Sequence, residues 1–330
     1  MSQLSATILG CEGLVLTPGE RAFFTDVQPF AFILFSRNID NADQIRTLCD
    51  DLRSCVGHHA PILIDQEGGR VQRLRPPLAV EWLPPLDQIK QAGNNAARSM
   101  YLRSRIQAHE LIALGIDSNC APLVDVATAD THPFLQNRCY GFAPNNVIEI
   151  GRAVTDGLMD GGVLPVLKHI PGHGRAQQDS HLELPRVSAS AKELSTDFAP
   201  FTALNDLAMG MTAHLVYEAI DPDPATISPK MMGLIRNDIG FDGLIMTDDI
   251  SMQALEGNMT QRSAASIAAG CDVVLHCNGD MAEMQDVVAA SGTLSGKGLE
   301  RAQAVLDARK TPNTVDIDAL KAELETLLNG

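Results

Sequence analysis

Short runs of aliphatic and β-branched residues recur along the chain, and each is followed by a longer segment whose apolar positions return every three or four residues. The first pattern predicts strands buried on both faces, and the second predicts helices with one apolar stripe. The runs cover residues 7–9, 30–35, 61–64, 118–121, 163–167, 210–213, 244–247 and 272–275, and plausible helices between them include 96–111 and 146–159. Strands and helices alternating in this way, with no internal repeat, predict an α/β fold: a single TIM-like (β/α)8 barrel with a C-terminal helical extension. The barrel is expected over roughly 5–290 and the extension over roughly 291–330, ending in a Leu-rich acidic helix at 316–328, so that 1–330 forms one domain.

In such a barrel the residues just after each strand collect at one mouth. Ser36, Arg37 and Asn38 follow the second run; Asp65, Gln66, Glu67, Gly68, Gly69, Arg70 and Arg73 follow the third. Asp125 and a loop ending in Asn137-Arg138-Cys139-Tyr140-Gly141 follow the fourth. His214 and Tyr217, then Asp248 and Asp249, then His276 and Asn278 follow the last three. The densest group belongs to the fifth, where 163–181 reads VLPVLKHIPGHGRAQQDSH. Pro171, Gly172 and Gly174 break any continuing strand or helix, placing Lys168, His169, His173, Asp179 and His181 on or beside an irregular loop.

These residue types leave several readings open. The histidines with Asp179 fit metal ligands, a structural polar loop, or an acid–base pair in which Asp179 fixes the tautomer of His181; the glycines and proline disfavour the helix on which a His-x-x-x-His pair would bind metal. Asp248 and Asp249 fit a helix N-cap with an acidic first turn, or a nucleophile at a polar mouth. Arg73 and Arg138 fit structural ion pairs with barrel acids as well as ligand contacts, while Lys168-His169 at the end of a buried strand needs a partner or a ligand.

Charge and composition narrow the classes. A formal net charge of −16 in 330 residues argues against nucleic acid or an anionic membrane as partner. The opening MSQLSATILG has no basic n-region or long apolar h-region, and no run approaches a membrane span, so a soluble cytoplasmic protein is expected. The 7 cysteines are scattered and form no CxxC pair, which suits reduced thiols. No GxGxxG or Walker pattern occurs.

Five motifs, LIDQEGGRVQRL (63–74), KHIPGHG (168–174), DSH (179–181), MTAHLVY (211–217) and MTDDISM (246–252), occur in order over most of the chain. Together they resemble glycoside hydrolase family 3, and within it the single-domain bacterial β-N-acetylglucosaminidases of peptidoglycan recycling. The resemblance implies a TIM-like barrel with Asp248 as nucleophile, His181 as general acid/base and Asp179 orienting it. It also implies sugar contacts from Asp65, Arg73, Arg138, Lys168 and His169, with no cofactor and no metal. The expected reaction is retaining release of terminal β-linked GlcNAc from GlcNAc-1,6-anhydro-MurNAc muropeptides by a cytoplasmic monomer, with loop 170–187 moving during turnover. Ile170, where the family often has an aromatic, and Thr247, where Ser is common, are departures that do not touch the reacting groups. A substrate-assisted hexosaminidase, a metal-dependent TIM-barrel hydrolase and a non-catalytic sugar-binding protein are the rivals.

Overall fold

A computed structural model of the protein describes residues 4–178 and 183–329. Among these the strands are β1 (Ser5–Gly10), β2 (Pro29–Leu34), β3 (Ile62–Ile64), β4 (Gln66–Gly68), β5 (Val71–Gln72), β6 (Ser118–Asn119), β7 (Leu164–Pro165), β8 (Leu167–Ile170), β9 (Arg186–Val187), β10 (Met209–Thr212), β11 (Val216–Tyr217), β12 (Leu244–Met246) and β13 (Val274–His276). The fold is α/β. One parallel sheet runs β13-β1-β2-β3-β6-β7 and a second runs β12-β10-β8. Parallel bridges Leu123↔Lys168 and Met246↔Val273 bring the two sheets together at both edges.

The strand runs lack polar alternation because both of their faces are buried. Phe32, Leu34, Ile62 and Ile64 belong to a cluster shared with helical residues such as Phe24, Ile45, Leu48 and Leu52. Ile8, Ile33, Leu63, Val166, Met211, Met246 and Leu275, from the alternate positions, belong to a second cluster. Helix starts follow local chemistry: Thr17 and Glu20 form a capping box at Pro18–Val27, and Asn258 with Gln261 does the same at Met259–Ala269.

The fifth run departs from expectation by splitting in two. Pro165 has no N–H to give the ladder, and the Val166 N–H turns instead to the Asn119 and Ala121 carbonyls at 3.1 and 2.9 Å. Strand pairing then resumes and continues to Ile170: the Lys168 N–H donates to Pro122 at 3.1 Å, and the Ala213 N–H donates to the Ile170 carbonyl at 2.9 Å. Lys168 and His169 therefore lie within β8, not beyond it.

The antiparallel β4–β5 hairpin carries no apolar run and was not foreseen as strand. It is anchored by Arg103 of the Ala96–Ile112 helix, whose guanidinium donates to the Glu67 carbonyl and to Gln88 Oε1. A Cβ on Gly68, at φ 113°, would collide with that guanidinium. Toward the end of the chain, the Ile317–Asn329 helix buries Leu324 against Trp82, Leu102 and Ile106. Among the described residues no helix is long and apolar enough to cross a membrane.

Candidate active site

Asp65 follows β3 directly, and the next residue sets the geometry of everything up to Leu74. Gln66 accepts the Arg73 and Leu74 N–H groups on its side-chain oxygen, both at 3.0 Å, and donates its amide to the Leu74 carbonyl at 2.9 Å. This clasp returns Arg73 to Asp65, to which it donates at 2.8 Å. From the other sheet, Lys168 Nζ of β8 reaches Asp65 at 3.2 Å and Glu67 at 2.6 Å. Glu67 in turn receives a two-pronged contact from Arg138, at 2.9 and 2.8 Å. Two carboxylates and three cations thus form one network, sealed at Glu67 and Lys168 and opening toward Arg73.

Burial alone would raise both carboxyls, but the neighbouring cations outweigh it. Lys168 and Arg73 hold Asp65 well below the usual carboxylate range, and Arg138 with Lys168 brings Glu67 down to about 2. Lys168 shows the mirror case: burial opposes its charge, and Glu67 and Asp65 more than restore it. The network presents fixed donors and acceptors.

A second buried pair lies beside it. His169 Nδ1 sits 2.8 Å from Asp125 Oδ2, while Asp125 Oδ1 accepts the His173 N–H at 2.6 Å and the His169 N–H at 3.3 Å. With Nδ1 donating to the carboxylate, His169 keeps Nε2 for a ligand. His173 stays neutral, since burial first and His169 second push its imidazole down to about 4. Gly174 packs its backbone on Val126 so closely that a Cβ would overlap the Val126 carbonyl.

Asp248 comes just after β12, accepting the Asp249 N–H at 2.8 Å. Asp249 shapes the turn that follows. Its carboxylate takes the Ser251 hydroxyl at 2.8 Å and the Ser251 N–H at 3.1 Å, and its carbonyl faces His214 Nε2 at 3.1 Å. No helix begins there: the next starts at Met259, so Asp249 caps a turn, not a helix as one reading had it. A cavity of about 320 Å³ brings these pieces together. Asp65, Arg73, Arg138, Lys168, His169 and Asp248 all line it, beside an apolar wall that includes Phe35, Met211, Met252 and Leu275. Asp179 and His181 lie outside the described residues. Among the described residues no three His, Cys, Asp or Glu side chains are grouped to hold a metal ion.

The glycosyl hydrolase family 3 N-terminal domain matches residues 19–307. The chain belongs to glycosyl hydrolase family 3. Among its family 3 relatives, a beta-hexosaminidase of Alkalilimnicola ehrlichii is 36% identical over 283 residues, which covers 83% of this chain and 81% of that one. One from Idiomarina loihiensis is 32% identical over 328 residues, covering 97% and 96%. The structure of NagZ from Neisseria gonorrhoeae is similar with a TM-score of 0.82 at 30% identity, covering 99% of each chain. That protein has also been solved with N-trifluoroacetyl-D-glucosamine.

Two residues behind the lining of this cavity had been noted only by position, and the structure gives them partners. Glu67 holds Lys168 and Arg138, and Asp125 holds His169 and the backbone at His173. For Glu67 there was a sequence cue: a buried lysine and arginine require counter-charge, and one carboxylate at Asp65 could not serve three cations. Arg73 and Arg138 are ion-paired, to Asp65 and Glu67, and both also line the cavity.

Proposed function

We propose that this chain is a retaining exo-β-N-acetylglucosaminidase, and that the two sheets close into one (β/α)8 barrel forming, with its C-terminal helices, a single catalytic domain. The observation that carries the proposal is the position of Asp248 in the lining of a cavity whose base holds Lys168, Arg73 and Arg138 ion-paired to Asp65 and Glu67. Such a base needs no charge from the sugar it holds and suits an uncharged ring, which exchanges hydrogen bonds with fixed dipoles and ions. Membership of family 3 and the beta-hexosaminidase relatives support the same class of substrate.

In this reading Asp65 accepts hydrogen bonds from sugar hydroxyls, and Arg73, Arg138 and Lys168 donate to hydroxyls or to the N-acetyl carbonyl. Asp248 attacks the anomeric carbon while protonated His181, oriented by Asp179, gives its proton to the leaving oxygen. Neutral His181 then takes a proton from water, which releases GlcNAc from Asp248. An imidazolium avoids the repulsion that a second carboxylate would suffer near an anionic nucleophile. The natural substrate is a GlcNAc-1,6-anhydro-MurNAc muropeptide, handled by a cytoplasmic monomer without metal or cofactor.

The test is hydrolysis of an aryl β-GlcNAc in EDTA by wild type and Asp248→Asn, with an aryl β-glucoside as control. The expected outcome is cleavage of the GlcNAc substrate alone, reduced on the order of 10³-fold or more by the substitution. Wild-type activity that appears only on adding zinc would move the reading to a metallohydrolase. Tight binding of a thiazoline inhibitor, with no labelling of Asp248 by a fluorosugar, would move it to substrate assistance.

A further inference from the structure

Arg70 is a charged side chain of the cavity lining that the paired network leaves unused. It occupies the tip of the β4–β5 hairpin, in the two-residue turn Gly69–Arg70. The turn is held from two sides: the Gly69 N–H donates to the Trp82 carbonyl at 2.9 Å, and Arg75 donates to the Gly69 carbonyl at 2.9 Å. From this fixed base the side chain reaches across Phe134, its guanidinium carbon 3.8 Å from the ring centroid. Among the described residues no carboxylate forms an ion pair with Arg70, whereas Arg73, Arg138 and Lys168 are all paired to Asp65 or Glu67.

Position gives this cation its meaning. Of the described lining residues, Arg70 and Gln178 are the exposed ones, so they mark the mouth, while Lys168 and His169 are buried at the base. An exo-acting enzyme receives the terminal sugar at the base, which leaves the departing group at the mouth. A guanidinium held over an aromatic ring through its face keeps its in-plane N–H groups for the two parallel hydrogen bonds that grip a carboxylate. The field of a chain with net charge −16 repels anions, and an uncompensated cation at the entrance reverses that locally.

We infer that Arg70, supported by Phe134, is a specificity-determining residue that binds a carboxylate borne by the leaving group. The inference rests on the glycosidase reading above and adds to it a preference for acidic aglycones. A second source of the same oxyanion chemistry is inorganic phosphate acting as acceptor, and the experiment separates the two.

Two aryl β-GlcNAc substrates with phenols of equal acidity, one neutral and one carrying a carboxylate, are compared by kcat/KM. Wild type favours the carboxylate substrate, and the preference shrinks as salt is raised. Arg70→Gln lowers the charged-to-neutral ratio about five- to tenfold, and Arg70→Lys keeps part of it because the charge remains while the fork is lost. Thermal midpoints of both variants verify that they fold. An unchanged ratio in Arg70→Gln overturns the assignment, and so does an equal loss on both substrates. A loss confined to phosphate-dependent release of a sugar phosphate assigns Arg70 to the acceptor and overturns it as well. If wild type cleaves neither substrate, the glycosidase reading fails and takes this inference with it.

Discussion

Replacing Glu67 by Gln leaves Asp65 as the one carboxylate among Arg73, Arg138 and Lys168. A buried charge stripped of its partner costs about 3–5 kcal/mol, and that loss is expected in urea unfolding of Glu67→Gln. The pH dependence has a definite sign. The carboxyl lies at about 2 in the folded chain against an ordinary 4.5, so it adds stability above 4.5 and loses it as pH falls toward 2. The gap between wild type and variant is therefore full at neutral pH and narrows over that acid window. Of the six expected site residues that line the cavity, Asp65, Lys168, His169 and Asp248 stand in or close behind a strand-like run, which is a local property, while Arg73 and Arg138 lie farther along their loops and were legible through the resemblance to family 3. Their partners could not be assigned that way. Nothing near Lys168 in the chain points to Glu67, and Asp125 meets His169 only because neighbouring parallel segments are brought side by side.

Elements show the same division between what neighbours in sequence dictate and what folding imposes. The helices at Ala96–Ile112 and Pro144–Asp160 match their periodic patterns within two residues at each end. The β4–β5 hairpin escaped because its residues, QEG and VQ, have no apolar run; it is held by Arg103 and by the Gln66 clasp rather than by intrinsic strand preference. The loop after β8 is governed by close backbone approach. Gly174→Ala forces a Cβ into the Val126 carbonyl, a clash that no side-chain rotation relieves. The loop must shift and take with it the Asp125 contact at His173. Turnover of an aryl β-GlcNAc by Gly174→Ala is expected to fall about tenfold or more, with the larger part of the change in kcat.

At the scale of the whole molecule, removing the Ile317–Asn329 helix uncovers Trp82, Leu102 and Ile106, far in sequence from the cavity residues that β8 and β12 carry. Truncation before Ile317 should lower stability by about 2–4 kcal/mol, as calorimetry would report. Calorimetry of the full chain also tests the single-domain proposal, which calls for one transition. The pairing of β1 with both β2 and β13 has a consequence for how such a molecule is made. A chain emerging from the ribosome offers β1 and β2 early, but β13 leaves only when nearly everything else has been synthesised. Until then one side of β1 carries a row of unclaimed N–H and C=O groups, the kind of surface on which nascent chains stick to one another. Final assembly is thereby deferred to the last stage of translation, and crowded synthesis is the stage at which this protein is most exposed to aggregation.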